Sequence, residues 1–329
     1  MSLPVLTICA ALGQQGAGVG SAFMSQETTQ YHIRALTSNT ESPAAKRLAT
    51  KPNISVVGVD LNSIDTIISA FEGSSLIFAN TAFQPAVFAR SGAAACQELE
   101  ARQGLNIAQA ASQTPSLKHL IWSTLPDALK ESAGKHDIPH FQSKIPAEQY
   151  IMNPKNGLSN KTTFLRVGLY GSVIEKPPYT PFYSDGANIR LLVLPISADS
   201  LIPFAGDAPF NVGQFVKAIF AQPEKTIGRY VNATAELTSI QEYAKTLETA
   251  LKSQGKEIKV NFLECSLSDF EQLWGALGTE IGLMFKYFND HGDGNYETDP
   301  HTYQYMTAKD LGIEGVLRKN EDTLAQIEW

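Results

Sequence analysis

Apolar runs of strand length recur through the first half of the chain, separated by stretches whose apolar residues return every three or four positions. The runs are "VLTICA" (5–10), "YHIRALT" (31–37), "ISVVGVD" (54–60), "SLIFAN" (75–80), "KHLIWST" (118–124) and "TTFLRVG" (162–168), all with β-branched or aromatic content. Between them, "SPAAKRLAT", "SIDTIISAFEG" and "GLNIAQAASQ" have helical spacing. Strand, helix, strand at this rhythm admits few folds: the strands run parallel, and helices cover both faces of the sheet. We therefore expect an α/β fold with a doubly wound parallel sheet over residues 1–168, completed by strands from about 200–235. Ser63 and Asp65 are expected to start a helix that Gly73 stops.

After Gly168 the rhythm breaks. "GSVIEKPPYTPFYSDGANI" is rich in Pro, Gly and Tyr and reads as an exposed loop over a pocket rather than a sheet element. "PFNVGQFVKAIFAQPEK", "TSIQEYAKTLETALKSQGK" and residues 266–289 read as helices, so 169–329 forms a smaller, mainly helical region that shapes a site for a substrate or partner. A net charge of -7, with no long Lys/Arg block, argues against nucleic acid. No stretch approaches the roughly 20 apolar residues that span a bilayer, and "LPVLTICAALG" runs into a glycine loop rather than a cleavable leader. Cys9, Cys96 and Cys265 match neither a metal nor a dithiol spacing. The expected setting is cytoplasmic, and also nuclear if the role is regulatory; the sequons at Asn53, Asn160 and Asn232 then read as chance matches.

"AALGQQGAGVG" (10–20) follows the first strand at once. Ala10, Gly13 and Gly16 stand at positions one, four and seven of a Gly-x-x-Gly-x-x-Gly spacing. Gly13 permits close approach of the backbone to a pyrophosphate, and Gly16 lets the next helix pack tightly with its N-terminus facing the negative charge. Ala10 is the smallest substitute for the missing glycine, and the turn survives the replacement if its backbone keeps φ below zero. An ordinary strand-to-helix turn can carry the same letters; the position after the first strand of an alternating pattern favours a dinucleotide. At the end of the second strand Thr37, Ser38 and Asn39 replace the carboxylate that would select NAD, with Arg34, Lys46 and Arg47 nearby, so the extra phosphate of NADP is tolerated. Ser38 and Asn39 suit a helix-capping turn equally well.

The order of "GQQGAGVG", "IRALTSNTESPAAKRLA", "VVGVDLNSIDTIISAFEG", "QGLNIAQAA", "KHLIWSTLPDA", "IPHFQSKIPAEQYI", "TTFLRVGLYGS", "IPFAGDAPFNVGQFVKAIFAQPEKTIGRYVN" and "TAKDLGIEG" resembles the NmrA-like family of atypical short-chain dehydrogenase/reductase proteins over almost the whole chain. The resemblance implies a Rossmann-type fold and NADP(H) binding. Its members include oxidoreductases and regulators that bind dinucleotides without known turnover. It implies phosphate-loop roles for Gly13, Gln14, Gln15 and Gly16, although Ala10 and Ala17 replace common glycines. Ser38 stands where many relatives have an arginine for the 2′-phosphate. Asp60 and Leu61 fall on the adenine side, Asn80 and Thr81 lie under the nicotinamide ribose, and Gly168 and Tyr170 complete the cofactor site.

Ordinary short-chain reductases use a serine after the fifth strand and a Tyr-x-x-x-Lys pair. This chain has Ser123, Thr124 and "HFQSK", so His140 replaces the tyrosine and Lys144 remains, the two expected on one face of a helix. Lys144 is expected to hold the ribose. His140, of a residue type with an ordinary pKa near ~6.5, either donates a proton or packs at the helix start beside Pro139. The implied function is NADP(H)-dependent hydride transfer to a carbonyl, quinone or activated C=C of a mostly apolar small molecule; the alternative is an NADP(H)-sensing regulator with a protein partner. His136 and His140 have metal-pair spacing, but Pro139 is expected to break the helix between them, and no metal is expected. Asp290, Asp293, Glu297 and Asp299 read as a solvated acidic loop. Tyr170, Tyr179, Phe182 and Tyr183 are candidate pocket walls.

Overall fold

The computed structural model describes residues 3–24, 30–291 and 305–329. The alternating first half folds as β1 (Val5–Ile8), α1 (Gln14–Met24), β2 (His32–Thr37), α2 (Pro43–Ala49), β3 (Ile54–Gly58), α3 (Ile64–Phe71), β4 (Ser74–Ala79), α4 (Pro85–Ser112), β5 (His119–Thr124), α5 (Ala128–Glu131), α6 (Pro139–Gln142), α7 (Ile145–Met152) and β6 (Thr162–Val167). There follow β7 (Leu169–Tyr170), β8 (Phe182–Ser184), β9 (Ile189–Leu194), β10 (Leu201–Gly206), α8 (Ala208–Ala221), α9 (Pro223–Thr226), β11 (Tyr230–Ala233) and β12 (Glu236–Ser239). The chain continues through α10 (Ile240–Ser253), β13 (Lys259–Glu264), α11 (Leu267–Trp274), α12 (Ala276–His291), β14 (Tyr305–Met306) and α13 (Asn320–Ala325).

Among the described residues the main sheet has eight strands in the order β14-β11-β6-β5-β4-β1-β2-β3, and every pairing in it is parallel. Strand order reverses at β1, so the crevice for a ligand opens at the C-terminal ends of β1 and β4. Both faces are covered, as the unbroken burial of β5 and β6 demands. One face packs Val19 and Phe23 of α1 with Val212, Phe215 and Ile219 of α8. The other packs Phe71, Ile107 and Ile151 around Trp122. A Cβ on Gly18 would lie 1.7 Å from the Pro209 carbonyl oxygen, and one on Gly213 would lie 2.6 Å from that of Gly18. These glycines therefore bring α1 and α8 into backbone contact.

Of the 200–235 stretch only β11 joins the main sheet. β10 pairs with β12 and β7, while β9 bridges β8 and β13 in another three-stranded sheet. The Pro/Gly/Tyr-rich segment is thus not loop throughout: β8 and β9 form an antiparallel hairpin around Asp185–Asn188, with Asn188 at φ 51. The Asp-Gly pair in that turn is a hairpin signal which the neighbouring prolines obscured. Residues 266–289 form two helices, because Gly275 at φ 59 breaks them. Ser63 stands at the N-cap of α3 without a side-chain capping bond, and Gly73 ends that helix region at φ 72. No helix among the described residues is long and apolar enough to cross a membrane.

His119, at the start of β5, supplies a pH dependence away from the crevice. Its Nε2 lies 2.8 Å from Thr163 Oγ1, which itself donates to the Thr226 carbonyl, so Nε2 is the donor. Nδ1 is buried without a partner. Burial pushes this imidazole down to about 4 from its ordinary 6.5. Its contribution is complete above about pH 6.5 and is lost as pH falls toward 4, because the unfolded chain binds a proton that the folded chain refuses. Urea unfolding at pH 7 and 4.5 is expected to show a loss of up to ~3 kcal/mol from this group, and His119→Gln is expected to flatten that part of the slope.

Candidate active site

The turn after β1 is held at both ends: Ala11 N–H donates to the Leu36 carbonyl at 3.0 Å and Gly13 N–H to the Ala10 carbonyl at 2.9 Å. Ala10 adopts φ 48, in the left-handed region. The condition of a negative φ is not met and the turn forms nonetheless: its closing bonds fix the backbone, and alanine bears the strain a glycine would avoid. Ala10→Gly is expected to raise the unfolding free energy by up to ~1 kcal/mol, the relief of strain exceeding the added unfolded-state entropy, as urea titration would record. The first helical bond of α1 runs from Ala17 N–H to the Gly13 carbonyl at 2.8 Å. The amides of Gln14, Gln15 and Gly16 precede it at the positive end of the helix, suited to an anion.

The two loop glycines do different work. A Cβ on Gly16 would lie 2.4 Å from Ala10 O and 2.8 Å from Ala11 Cα, whereas one on Gly13 would meet only Ala10 O at 3.3 Å. Gly16 is required by packing; Gly13 leaves a cradle that a side chain would fill. This loop fits a dinucleotide pyrophosphate.

Ala10, Gly13, Gln14 and Gln15 line one end of a cavity of about 500 Å³ that also takes in Asn80, Thr81, Ser123, Thr124, His140, Lys144, Gly168 and Tyr170. Gly16, Thr37, Ser38, Asn39, Asp60 and Leu61 are outside its lining. Thr37 ends β2, Ser38 and Asn39 follow it, and Asp60 and Leu61 follow β3. Ser38 and Asn39 are exposed and do not cap α2, whose N-cap is Ser42, accepting from Ala45 N–H at 3.2 Å. Asn39 instead accepts Glu41 N–H at 3.0 Å. Asp60 holds the Asn62 amide at 2.9 Å, and Asn106 Nδ2 donates to the Leu61 carbonyl at 2.9 Å. Arg34 is withdrawn from the strand end, because its Nη1 donates to the Ala70 and Glu72 carbonyls at 2.8 and 2.6 Å. Lys46 pairs with Glu41 at 2.9 Å.

Inside the cavity, Ser123 Oγ donates to Gln15 Oε1 at 2.8 Å, and Gln15 Nε2 donates to the Tyr170 hydroxyl at 2.8 Å. One carboxamide on the phosphate-type loop thus ties together the hydroxyls of β5 and β7. Burial pushes the Tyr170 phenol up, outweighing the bond from Gln15. Thr124 Oγ1 turns away to donate to Glu148 Oε2 at 2.8 Å. Burial raises the Glu148 carboxyl despite the Arg166 charge nearby.

His140 and Lys144 line the same cavity without sharing a helix: α6 ends at Gln142, and Lys144 is the N-cap of α7. Pro146 disfavours helical continuity through Ile145 and opens a new helix. Lys144 Nζ donates to Glu100 Oε1 and Thr81 Oγ1 at 2.6 Å and to the Thr81 carbonyl at 3.2 Å, so the chain itself supplies three acceptors for its three hydrogens. Thr81 and Ser143 hydroxyls complete the Glu100 carboxylate at 2.9 and 3.0 Å. Burial works to raise the Glu100 carboxyl, but the Lys144 ammonium and these bonds outweigh it and hold it below the usual range. His140 Nδ1 lies 2.6 Å from Glu280 Oε1, which also accepts its backbone N–H at 2.9 Å.

The apolar wall facing these groups is α12, through Leu277, Ile281, Met284 and Phe288. Sequence reasoning gave 266–289 as helix without placing it on the site; Glu280, a carboxylate inside that apolar stripe, was the available signal. Tyr179 joins the wall, whereas Phe182 and Tyr183 are exposed at 42% and 48%, outside the lining. Phe182 stacks on Trp274 instead, because the hairpin carries it outward. His136 is held by Asp290 at 2.8 Å, and no group of three or more His, Cys, Asp or Glu able to hold a metal occurs among the described residues. Asp293, Glu297 and Asp299 lie outside the described residues.

The sequence profile of the NmrA-like family matches residues 4–326. An NmrA-like family domain-containing oxidoreductase of Aspergillus hancockii is 24% identical over 300 residues, 85% of this chain and 84% of that protein. The nitrogen metabolite repression protein nmrA of Emericella nidulans is 24% identical over 267 residues, 80% of this chain and 70% of that protein. Among solved structures, Nmra, a negative transcriptional regulator, in complex with NAD superimposes with a TM-score of 0.76 at 19% identity, over 99% of this chain and 96% of that one. The Citrobacter sp. triphenylmethane reductase complexed with NADP(H) gives 0.67 at 17% identity, over 98% and 99%. At these identities the structures establish the shared fold.

Proposed function

This chain belongs to the NmrA-like family, and we propose that it binds NADP(H) and transfers a hydride to a carbonyl, quinone or activated C=C of a mostly apolar small molecule. The observation that carries this reading is a single cavity joining the glycine loop to Ser123, His140 and Tyr170 beneath the apolar wall of α12. When bound, the cofactor supplies the hydride. Gly13 and the amides of Gln14, Gln15 and Gly16 hold the pyrophosphate; Thr37, Ser38 and Asn39 take the 2′-phosphate side; Asp60 and Leu61 flank adenine. Asn80, Thr81, Gly168 and Tyr170 surround the nicotinamide ribose. Lys144 reaches that ribose by exchanging an acceptor, the Thr81 carbonyl at 3.2 Å being its longest bond. Both cavity carboxylates, Glu100 and Glu280, are engaged by Lys144 and His140, and apart from Lys176 the remaining wall is largely apolar, which favours a mostly apolar substrate.

Ser38→Asp is expected to lower or invert the preference for NADPH over NADH by at least ~10-fold, since a carboxylate repels the 2′-phosphate and accepts a ribose hydroxyl. Calorimetric titration with both cofactors checks it; a wild-type protein that binds NADH more tightly removes the strand-end assignment. The regulatory reading gains weight from the engaged Lys144 ammonium and from similarity to the repression protein. NADPH oxidation with a panel of quinones, aromatic carbonyls and conjugated enones decides between them: turnover supports the enzyme, whereas tight binding without turnover, with a co-purifying protein, supports the sensor.

A further inference from the structure

We propose that Glu280 is a positioning residue for His140, fixing the Nδ1–H form of the ring so that Nε2 is the atom exchanging a proton with a carbonyl or quinone oxygen in the cavity. This rests on the oxidoreductase reading for the identity of that oxygen, and on geometry alone for the state of the ring. The Glu280 side chain is 3% exposed on a helix face otherwise made of aliphatic and aromatic wall residues. A carboxylate there is costly unless satisfied. Both hydrogen bonds recorded for Glu280 come from His140, and both end on Oε1. The backbone bond alone would make Glu280 a cap for the short α6; the ring bond does more. A carboxylate accepts and does not donate, so the ring must offer a hydrogen at Nδ1.

That choice assigns the other nitrogen. The ring keeps 19% exposure while its carboxylate partner is sealed, and no hydrogen bond of the described residues engages Nε2. A carboxylate orienting one imidazole nitrogen while the other faces the reacting group is the arrangement of the Ser-His-Asp triad. As imidazolium, the ring keeps Nδ1–H on Glu280 and gives the Nε2 proton to the acceptor oxygen. The N–H bond breaks as the O–H bond forms, its electron pair staying on nitrogen. The hydride that makes this oxygen basic comes from the reduced nicotinamide dinucleotide of the proposed function, and water returns the proton to Nε2. The other titratable groups around the ring are Glu100 and Cys96 from α4, Lys144 at the start of α7, and Tyr170, Lys176 and Tyr179 from the rest of the cavity lining. Of these, Glu100 and Lys144 are committed to each other.

The test is the tautomer of His140, read from its imidazole ¹³C and ¹⁵N shifts in the full-length protein at pH 8 and assigned by the signal missing in His140→Phe. Wild type is expected to show Nδ1–H. Glu280→Gln, whose carboxamide oxygen can still accept, is expected to retain it. Glu280→Leu is expected to move the ring to the Nε2–H form that an unrestrained histidine side chain prefers, with NADPH affinity within ~2-fold and kcat down roughly 100-fold. An Nε2–H ring in wild type, or a tautomer unchanged in Glu280→Leu, overturns the proposal. Should the wild type turn over no acceptor, the oxidoreductase reading fails while the tautomer shift still decides whether Glu280 orients the ring.

Discussion

Lys144→Ala is expected to cost roughly 3–5 kcal/mol of folding free energy before any effect on a bound cofactor is counted. The Glu100 side chain is 3% exposed and that of Lys144 is 8% exposed. Removing the ammonium strands a carboxylate that its two hydroxyl donors cannot compensate alone. Lys144→Met combined with Glu100→Gln removes both charges and is expected to recover most of the loss. The pH dependence gives an independent sign. In wild type the Glu100 carboxyl is held low, so its contribution is present above the ordinary carboxylate range and is lost as pH falls through its folded value. In Lys144→Ala burial acts without the ammonium and raises the carboxyl, so the deficit relative to wild type is expected to shrink as the solution is acidified. Urea unfolding of the single and double variants at pH 7.5 and 5 checks both. Reduced activity in Lys144→Ala would therefore not by itself identify a ribose contact.

Gly13→Val is expected to weaken dinucleotide binding at least ~100-fold while leaving the unfolding free energy within ~1 kcal/mol of wild type. The asymmetry follows from the loop: an added Cβ at Gly13 meets one carbonyl oxygen at 3.3 Å, while one at Gly18 would sit 1.7 Å from the Pro209 carbonyl. Gly18→Val is accordingly expected to separate α1 from α8 and unfold the protein, so the pair distinguishes a glycine kept for a ligand from one kept for packing. Thermal melts report the stability and calorimetry the binding.

The central sheet was legible because its code is local. A buried parallel strand is a short apolar run, and the predicted "KHLIWST" and "TTFLRVG" differ from β5 and β6 by one residue at one end. The glycine loop was legible for the same reason, although the φ of Ala10 was not, since a turn's handedness follows from the bonds that close it. The site beyond the loop depends on partners far apart in sequence. Glu280 reaches His140 across 140 positions and Glu100 reaches Lys144 across 44, and no spacing rule joins them. β9 pairs with β13 from Lys259↔Ile189 onward, which local propensity does not announce. The resemblance supplied Ser123, His140 and Lys144 as residue types, but only the folded chain gives the direction of their hydrogens: Ser123 toward Gln15, Lys144 toward Glu100 and Thr81, and His140 toward Glu280.

The crevice at β1 and β4 is assigned to NADP(H) through the glycine loop, and calorimetric titration of NADPH and NADH into wild type and Gly13→Val checks that assignment. One saturable site is expected in wild type, tighter for NADPH than for NADH, with no measurable heat of binding in a folded Gly13→Val. Absence of binding in wild type, or NADPH binding undiminished in the variant, would contradict it.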